Sequence, residues 1–541
     1  MPGRKEVKSR QVEASVGGRV VSEFPYDAEA DWIYLSRAGF LPPDEALVSV
    51  LAHAIHYGSG FFEGMRAYYS PYGTALIEPW ANIARLMHSA SAFHPGQALL
   101  LHGLAVENGW AEAERLSPGE LYALARKCYK ERTDLTMGVR TGDGKSEDVP
   151  LSFRAVSPDG VRYFSMSEMD AVIKATVFLN GLVSCDYFPP GIEMVQSGYI
   201  RLFGFVAGQE GLKLQTIVRG EKGPSFKEFY FGVATLPWGT YLKEEDYAAG
   251  LDVLVAPVPR IGEDMPYDKK VAGNYVNSTM NANFAAMLGF GEVLVLRDGR
   301  VVEGSAENLF AFFEGKGKMV AYTPPLSAGC LPGTTRDRII RVLERMGVEL
   351  HYEALPLEKL KKAAAILLTG TGAQFIHVRS ITEIPGLENL AKAGSLRSEE
   401  EKNEYVRVSR EELEGKKAML NGGKRHPVIE RVSRGYCRMV MEEGCLVPAH
   451  DIDFHSLAGI MRLGMEEIST NAERRSISAG YFTERINGLK QPDELKARVK
   501  AAAKILERAV RRQNGGQAMR RVSGSLFPVA SSGNGRQVTG N

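Results

Sequence analysis

An α/β fold is predicted by three features of this 541-residue chain. Short β-like runs alternate with stretches of helical period over most of its length. All-apolar segments such as LDVLVAPV (251–258) and AAILLTG (364–370) read as buried strands. Two tight hairpin signals lie close together near residue 300, separated from an amphipathic helix by only a short loop.

Residues 1–30 are polar and form a lead-in. TALIE (74–78) is a short strand, and Pro79 opens a helix in which Ile83, Leu86, Met87 and Ala90 recur at helical spacing. Residues 112–163 are charged and turn-rich and interrupt two regular segments. An amphipathic helix over 167–182 follows, on Met169, Val172, Ile173 and Val177. Residues 199–236 are mostly strand, and 237–250 is a connector rich in Pro, Gly and charge. A helix spans Asn277 to Leu288, closed by Gly289 and Gly291. EVLVL and VVE flank Asp298-Gly299, the strongest short hairpin signal. LFAFFE and MVAYT form a second hairpin around Gly315 and Gly317. The helix 335–346 carries Ile339, Ile340, Leu343 and Met346 on one face, with Gly347 just past its end. Residues 385–425 are charged and loop-like, 427–442 helical, and 492–512 a basic amphipathic helix. The Gly-, Ser-, Asn- and Gln-rich end, 513–541, is expected to be disordered.

Composition narrows the function. Lys plus Arg number 66 against 65 Asp plus Glu, a formal charge of +1, so no global field draws the chain to nucleic acid or an anionic membrane. With 44% hydrophobic and 24% charged residues it is an ordinary globular protein, not a coiled coil or a disordered chain. The odd, widely spaced cysteines Cys128, Cys185, Cys330, Cys437 and Cys445 argue against a disulfide framework or a zinc ribbon and for a reducing cytoplasm. The charged start MPGRKEVKSR has no apolar run behind it, so it is not expected to act as a secretory signal, and no stretch of the sequence reaches the apolar length of a membrane span.

Several local features carry little chemistry. GVRTGDGKS (138–146) misses the phosphate-loop register by one residue. His53 and His56 lie one helical turn apart without a third ligand, so packing is the simpler reading, and no metal is expected. Cys330 has no histidine partner, and the basic helix 492–512 is a solvated face. Two segments are better. In LPGTTRD (331–337) Thr334 and Thr335 open a helix whose free N–H groups suit a phosphate. In LLTGTGAQF (367–375) a buried strand runs into exposed amides and hydroxyls. With an isolated Lys-x-x-x-Asn-Tyr and a carboxylate at a hairpin exit, they suggest pyridoxal phosphate: a lysine amine to form the Schiff base, an acid to hold the pyridine nitrogen protonated, and helix N-termini for the phosphate.

The motifs HYGSGFFEGMRAY (56–68), ARLMHSA (84–90), GYIRL (198–202), PWGTY (237–241), KVAGNYVNS (270–278), EGSAENLF (303–310), LPGTTRD (331–337) and TGTGAQ (369–374) occur in this order. Together they resemble the branched-chain amino-acid aminotransferases, of the fold-type-IV pyridoxal-phosphate class whose fold is like that of D-amino-acid aminotransferase. The resemblance covers about 30–110 and 165–385, with a weaker stretch at 426–442. It implies a small α+β domain over 31–236, a larger pseudo-barrel domain over 251–442, and the cofactor at their junction. It also marks 95–163 and 385–425 as insertions and 443–541 as an unmatched, partly disordered extension.

By this resemblance Lys270 is the Schiff-base lysine, four residues before Asn274; adjacent Lys269 does not fit the spacing. Glu303 matches the partner of the pyridine nitrogen and Tyr275 that of the cofactor's phenolic oxygen. Arg85, Thr334, Thr335 and Thr371 match the phosphate cradle, and Leu331 the residue packed on the ring. Tyr57, Phe62, Arg66, Trp238 and Tyr241 match the substrate pocket; Gly372, with Thr371, offers amides to the α-carboxylate, and Arg201 matches the arginine that accepts glutamate's distal carboxylate. The implied reaction is reversible amino transfer between leucine, isoleucine or valine and 2-oxoglutarate, in a homodimer or higher oligomer with small-molecule substrates and neither nucleic acid nor membrane as partner. The alternatives are another enzyme of the same fold, acting on a D-amino acid or on aminodeoxychorismate, or a non-catalytic protein of this fold that binds through its basic tail.

Overall fold

The computed structural model describes residues 33–93, 111–180, 195–387 and 417–446, with short breaks inside these spans, and a pair of two-residue strands at Ser15–Val16 and Arg19–Val20. The helices are α1 (His53–Tyr57), α2 (Pro79–Ala90), α3 (Pro118–Glu131), α4 (Met166–Leu179), α5 (Glu244–Ala249), α6 (Tyr275–Met287), α7 (Thr334–Arg345), α8 (Leu357–Leu360) and α9 (Pro427–Glu443). The expected α/β class is borne out. The basic helix 492–512, the tail and most of 385–425 lie outside the described residues, as do 95–110.

The first sheet has seven strands in the order Cys445–Leu446, Gly73–Leu76, Gly60–Ser70, Val195–Val206, Phe229–Leu236, Ile33–Leu35 and Gly39–Leu41. Its register decides what faces what. Phe203 pairs with Phe62, Arg201 with Gly64, and Tyr199 with Arg66, so these residues share one face. Phe61, Met65, Ile200 and Leu202 point to the other, where α2 and α4 bury them in one apolar cluster.

The segment read from sequence as a charged interruption is not a loop. Residues 118–131 form α3, and the strands Thr136–Thr141, Ser146–Pro150, Ser152–Ser157 and Gly160–Ser165 follow. Leu121, Tyr122 and Ala125 of α3, with Phe153 and Phe164, are buried, and all but Tyr122 belong to the cluster that holds α2. The charge that suggested a loop sits on the outer faces, while the strand Ser152–Ser157 alternates half-buried and buried along its length.

The second sheet has nine strands. Arg300–Glu303, Glu292–Arg297, Leu251–Val255, Gln374–Thr382, Ala365–Gly370 and Asn308–Glu314 follow one another, and the first pairs with the last through Glu303 and Asn308. That pairing closes the expected pseudo-barrel. The first hairpin is as predicted, with positive φ at both Asp298 (50°) and Gly299 (73°), as a type I′ turn requires. Helix α9 packs Val428, Val432 and Tyr436 against Ile339, Val342 and Leu343 of α7 in a common core. The two sheets meet where Phe61 bridges Val271 and the Phe62 N–H donates to the Lys270 carbonyl at 3.1 Å.

Candidate active site

A cavity of about 250 Å³ opens at this meeting, room for a small ligand rather than a macromolecule. Lys270, Tyr275, Phe62, Arg201, Arg85, Leu331, Thr334, Thr335, Thr371 and Gly372 all line it. Residues scattered over the sequence are thus collected by one face of the first sheet, helix α2, the segment from Lys270 into α6, the start of α7, and the turn between Ala365–Gly370 and Gln374–Thr382.

Lys270 precedes the single 3-10 turn Ala272–Asn274 that opens α6, and its backbone N–H is fixed to Ser89 Oγ at 2.9 Å. Its Nζ donates to the Tyr275 hydroxyl and stands 4.8 Å from the centroids of both the Phe62 and Tyr275 rings. Burial, and then the positive charge of Arg85, lower the pKa of this amine to about 8. Adjacent Lys269 points instead toward Asp268, 3.7 Å away. Burial pushes the Tyr275 hydroxyl well above the ordinary phenol range; Arg85 opposes and Glu303 adds to the rise.

Glu303 does not line the cavity; it lies buried behind the wall that Asn308 and Leu331 provide. Arg260 Nε approaches Glu303 Oε1 at 2.8 Å, and Oε2 accepts from the Leu331 N–H at 3.0 Å and from Asn308 Nδ2 at 3.4 Å. Burial raises the pKa of its carboxyl, with Arg260 the main opposing influence. Cys330 beside it is buried and its thiol is pushed up to about 12, chiefly by burial and then by the Glu303 charge, which makes it inert.

Helix α7 begins at Gly333, whose conformation is extended and which offers no side chain to cap the first amides. A β-carbon at Gly333 would lie 2.0 Å from Asn308 Oδ1, so only glycine brings the helix start this close to the wall. Thr334 Oγ1 is held by Asn82 at 3.2 Å, and Thr335 Oγ1 lies 3.3 Å from Thr371 Oγ1. Arg85 also faces this corner, but its Nε and Nη2 are committed to Glu63 and its Nη1 donates to the Pro332 carbonyl at 3.1 Å.

Two expected pocket residues behave differently. Arg66 is buried and lies outside the wall; its Nε and Nη2 donate to the carbonyls of Thr371 (3.0 Å) and Gly372, drawing those oxygens away from the cavity. Tyr57 is 39% exposed on α1 and lies outside the wall, its ring tilted against that of His53 at 4.7 Å. Trp238 and Tyr241 lie outside the described residues. His53 is buried and bonded to Ser59 and the Leu214 carbonyl, consistent with its reading as a packing residue. Arg201 stands 4.6 Å from the Phe62 ring and 5.1 Å from the Tyr199 ring, and among the described residues no carboxylate lies within ion-pair reach of it.

Sequence reasoning missed Glu63, Tyr199, Glu307 and Asn308, which also line the cavity. Glu63 had a signal: a carboxylate on the core-facing side of a strand needs a buried partner, and Arg85 supplies it. Tyr199 crosses the strand beside it, its hydroxyl 2.2 Å from where a β-carbon on Gly64 would sit, so that position must be glycine. Burial, and then neighbouring Glu292, push the pKa of the Glu307 carboxyl well above the ordinary range.

The wall suits an aldehyde cofactor with a phosphate tail. It offers an amine whose pKa burial lowers to about 8, uncapped helix amides flanked by threonine hydroxyls, and the Thr369 hydroxyl, which is buried with no partner among the described residues. Residues 206–381 match the family described as amino-transferase class IV. Among the chain's relatives is the branched-chain-amino-acid aminotransferase of Escherichia coli (strain K12), 26% identical over 358 residues, which covers 66% of this chain and 86% of the relative. The enzyme of the same name from Pseudomonas aeruginosa is 24% identical over 398 residues, covering 73% and 89%. A solved T.th. branched-chain amino acid aminotransferase with pyridoxamine 5′-phosphate shares the fold, with a TM-score of 0.51, 23% identity, and 78% of this chain and 100% of that one covered.

Proposed function

We propose that the protein transfers amino groups between L-leucine, L-isoleucine or L-valine and 2-oxoglutarate, with Lys270 as its catalytic residue. The observation that carries this reading is the company Lys270 Nζ keeps: an aromatic wall of Phe62 and Tyr199 beside it, and Arg201 with no acidic partner among the described residues at its edge. An aromatic wall suits an aliphatic side chain, and a cation at the rim lets the same space take a distal carboxylate.

When bound, pyridoxal phosphate supplies an aldehyde that links to amines and a ring that absorbs the electron pair left at the substrate Cα. The chain does the rest. Lys270 Nζ takes the Cα proton, and its depressed pKa leaves it a usable base near neutral pH. Tyr275 holds that amine in place before substrate arrives. Glu303, anchored by Arg260 behind the cavity wall, would favour a proton on the ring nitrogen through its negative charge. The α7 amides, Thr335 and Thr371 take the phosphate, with Arg85, held by Glu63, beside them. Arg66 turns the Thr371 and Gly372 carbonyls outward, which leaves that turn to receive the α-carboxylate through its amides.

Exposed Val276, Met280 and Met287 on α6 and Leu47, Val50 and Ile55 before and within α1 support self-association into a homodimer. The expected site of action is the cytoplasm; among the described residues no helix is long and apolar enough to cross a membrane.

Purified protein assayed with L-leucine and 2-oxoglutarate, D-alanine, and aminodeoxychorismate tests the substrate. Turnover of L-leucine is expected, and activity with D-alanine alone overturns the reading. Borohydride trapping followed by peptide mapping should place the cofactor on Lys270.

A further inference from the structure

Helix α3 touches the cavity nowhere, yet it reaches the start of α7 with two side chains. Tyr122 and Arg126, four residues apart and therefore on one face, point toward the Leu331–Asp337 segment. The buried Tyr122 hydroxyl donates to the Pro332 carbonyl at 2.7 Å, the same oxygen that accepts from Arg85 Nη1 at 3.1 Å. Arg126 Nη1 donates to Asp337 Oδ2 at 2.7 Å.

Both contacts bear on how an anion is received at the uncapped start of α7. Pro332 immediately precedes Gly333, Thr334 and Thr335, which line the cavity while Pro332 does not. A carbonyl turned into that corner would set a partial negative charge against a phosphate, and two donors on its oxygen hold it out. Asp337, in the first turn of α7, opposes a bound anion through its own charge. Arg126 neutralises that charge from α3, and Arg341 Nε assists from 3.6 Å.

We propose that Tyr122 is a positioning residue for the cofactor phosphate, with Arg126 as its auxiliary: together they fix the Pro332 carbonyl and neutralise Asp337, so that the Gly333–Thr335 segment presents only donors to the cavity. This rests on the assignment of the phosphate to that segment made above.

The test compares two ligands of the cofactor-free enzyme, pyridoxal phosphate and pyridoxal, which differ only in the phosphate. Dissociation constants are read from the visible absorbance of the lysine-bound aldehyde for wild type, Tyr122→Phe, Arg126→Gln and Thr335→Ala. Tyr122→Phe should weaken pyridoxal phosphate on the order of tenfold, the size of one buried hydrogen bond, and leave pyridoxal unchanged. Arg126→Gln should do the same to a smaller degree and keeps the test open if the tyrosine variant folds poorly. The phosphorus-31 shift of the bound cofactor should move in both. If Thr335→Ala discriminates between the ligands while the two α3 variants weaken both equally or neither, the proposal fails and the phosphate assignment stands. If Thr335→Ala does not discriminate either, the assignment itself fails and takes the proposal with it.

Discussion

Replacing Lys270 by methionine should make the cofactor-free protein more stable at neutral pH, although it abolishes the amine. The folded chain holds this ammonium at a loss: burial first, and the Arg85 charge second, lower its pKa from the ordinary 10.5 to about 8. At about 1.36 kcal/mol per pH unit, the shift costs the folded state roughly 3 kcal/mol wherever the amine is charged in both states. Methionine fills nearly the same volume without charge, but leaves the buried Tyr275 hydroxyl without its present donor, a loss of about 1 kcal/mol. The net gain is about 2 kcal/mol at pH 7. The sign follows from proton counts. Between pH 8 and 10.5 the unfolded chain holds a proton on Lys270 that the folded chain has released, so wild-type stability climbs with pH across that window. The variant lacks this climb, and its advantage should vanish by the upper end. Urea unfolding of both cofactor-free proteins at neutral pH and at about pH 9.5 measures it. A variant no more stable than wild type at pH 7, or an advantage that does not shrink as pH rises, would show that the amine is not held in a hostile environment.

Glu303→Gln keeps the shape but removes the charge that Arg260 faces at 2.8 Å; kcat with L-leucine should fall about 10²- to 10³-fold at saturating cofactor, and a loss under threefold would remove Glu303 from the site. Arg201→Leu should raise KM for 2-oxoglutarate at least about tenfold while leaving KM for L-leucine within about twofold, since only the former has a distal carboxylate to pair. Glu78 is buried and holds Arg338 at 3.1 Å and Arg341 at 2.6 Å, so Glu78→Gln should cost about 3–5 kcal/mol in urea unfolding. Burial pushes the Glu78 pKa up, but Arg338, Arg341 and Arg126, the last 3.8 Å away, outweigh that and bring it below the ordinary value; its contribution in the wild type is therefore present at neutral pH and fades in acid as pH falls through the lowered pKa.

Local rules made the second sheet readable in advance. Asp298-Gly299 demands a left-handed turn, Gly347 follows the last turn of α7, and the apolar spacing of α2 needs no tertiary information. Lys270 was legible through the resemblance, whose motif places the lysine four residues before Asn274. What stayed hidden depends on pairing at a distance. The Glu63–Arg85 ion pair joins a strand to a helix 22 residues on, and the exchange of Arg66 from the pocket wall to a brace behind Thr371 spans 305 residues. Helix α3 was obscured for another reason: Arg126, Lys127, Lys130 and Glu131 load it with charge, and only its packing reveals that Leu121, Tyr122 and Ala125 form a buried stripe.

The pseudo-barrel closes through the bridge of Glu303 to Asn308, and the former is also the acid proposed to face the cofactor ring. A hoop fastened at so narrow a clasp parts there before it parts elsewhere. Any fluctuation that unlatches the clasp also carries off the group meant to keep the ring charged. Heat inactivation should therefore run ahead of global unfolding, and a staple across that clasp would harden the cylinder and the chemistry in a single stroke.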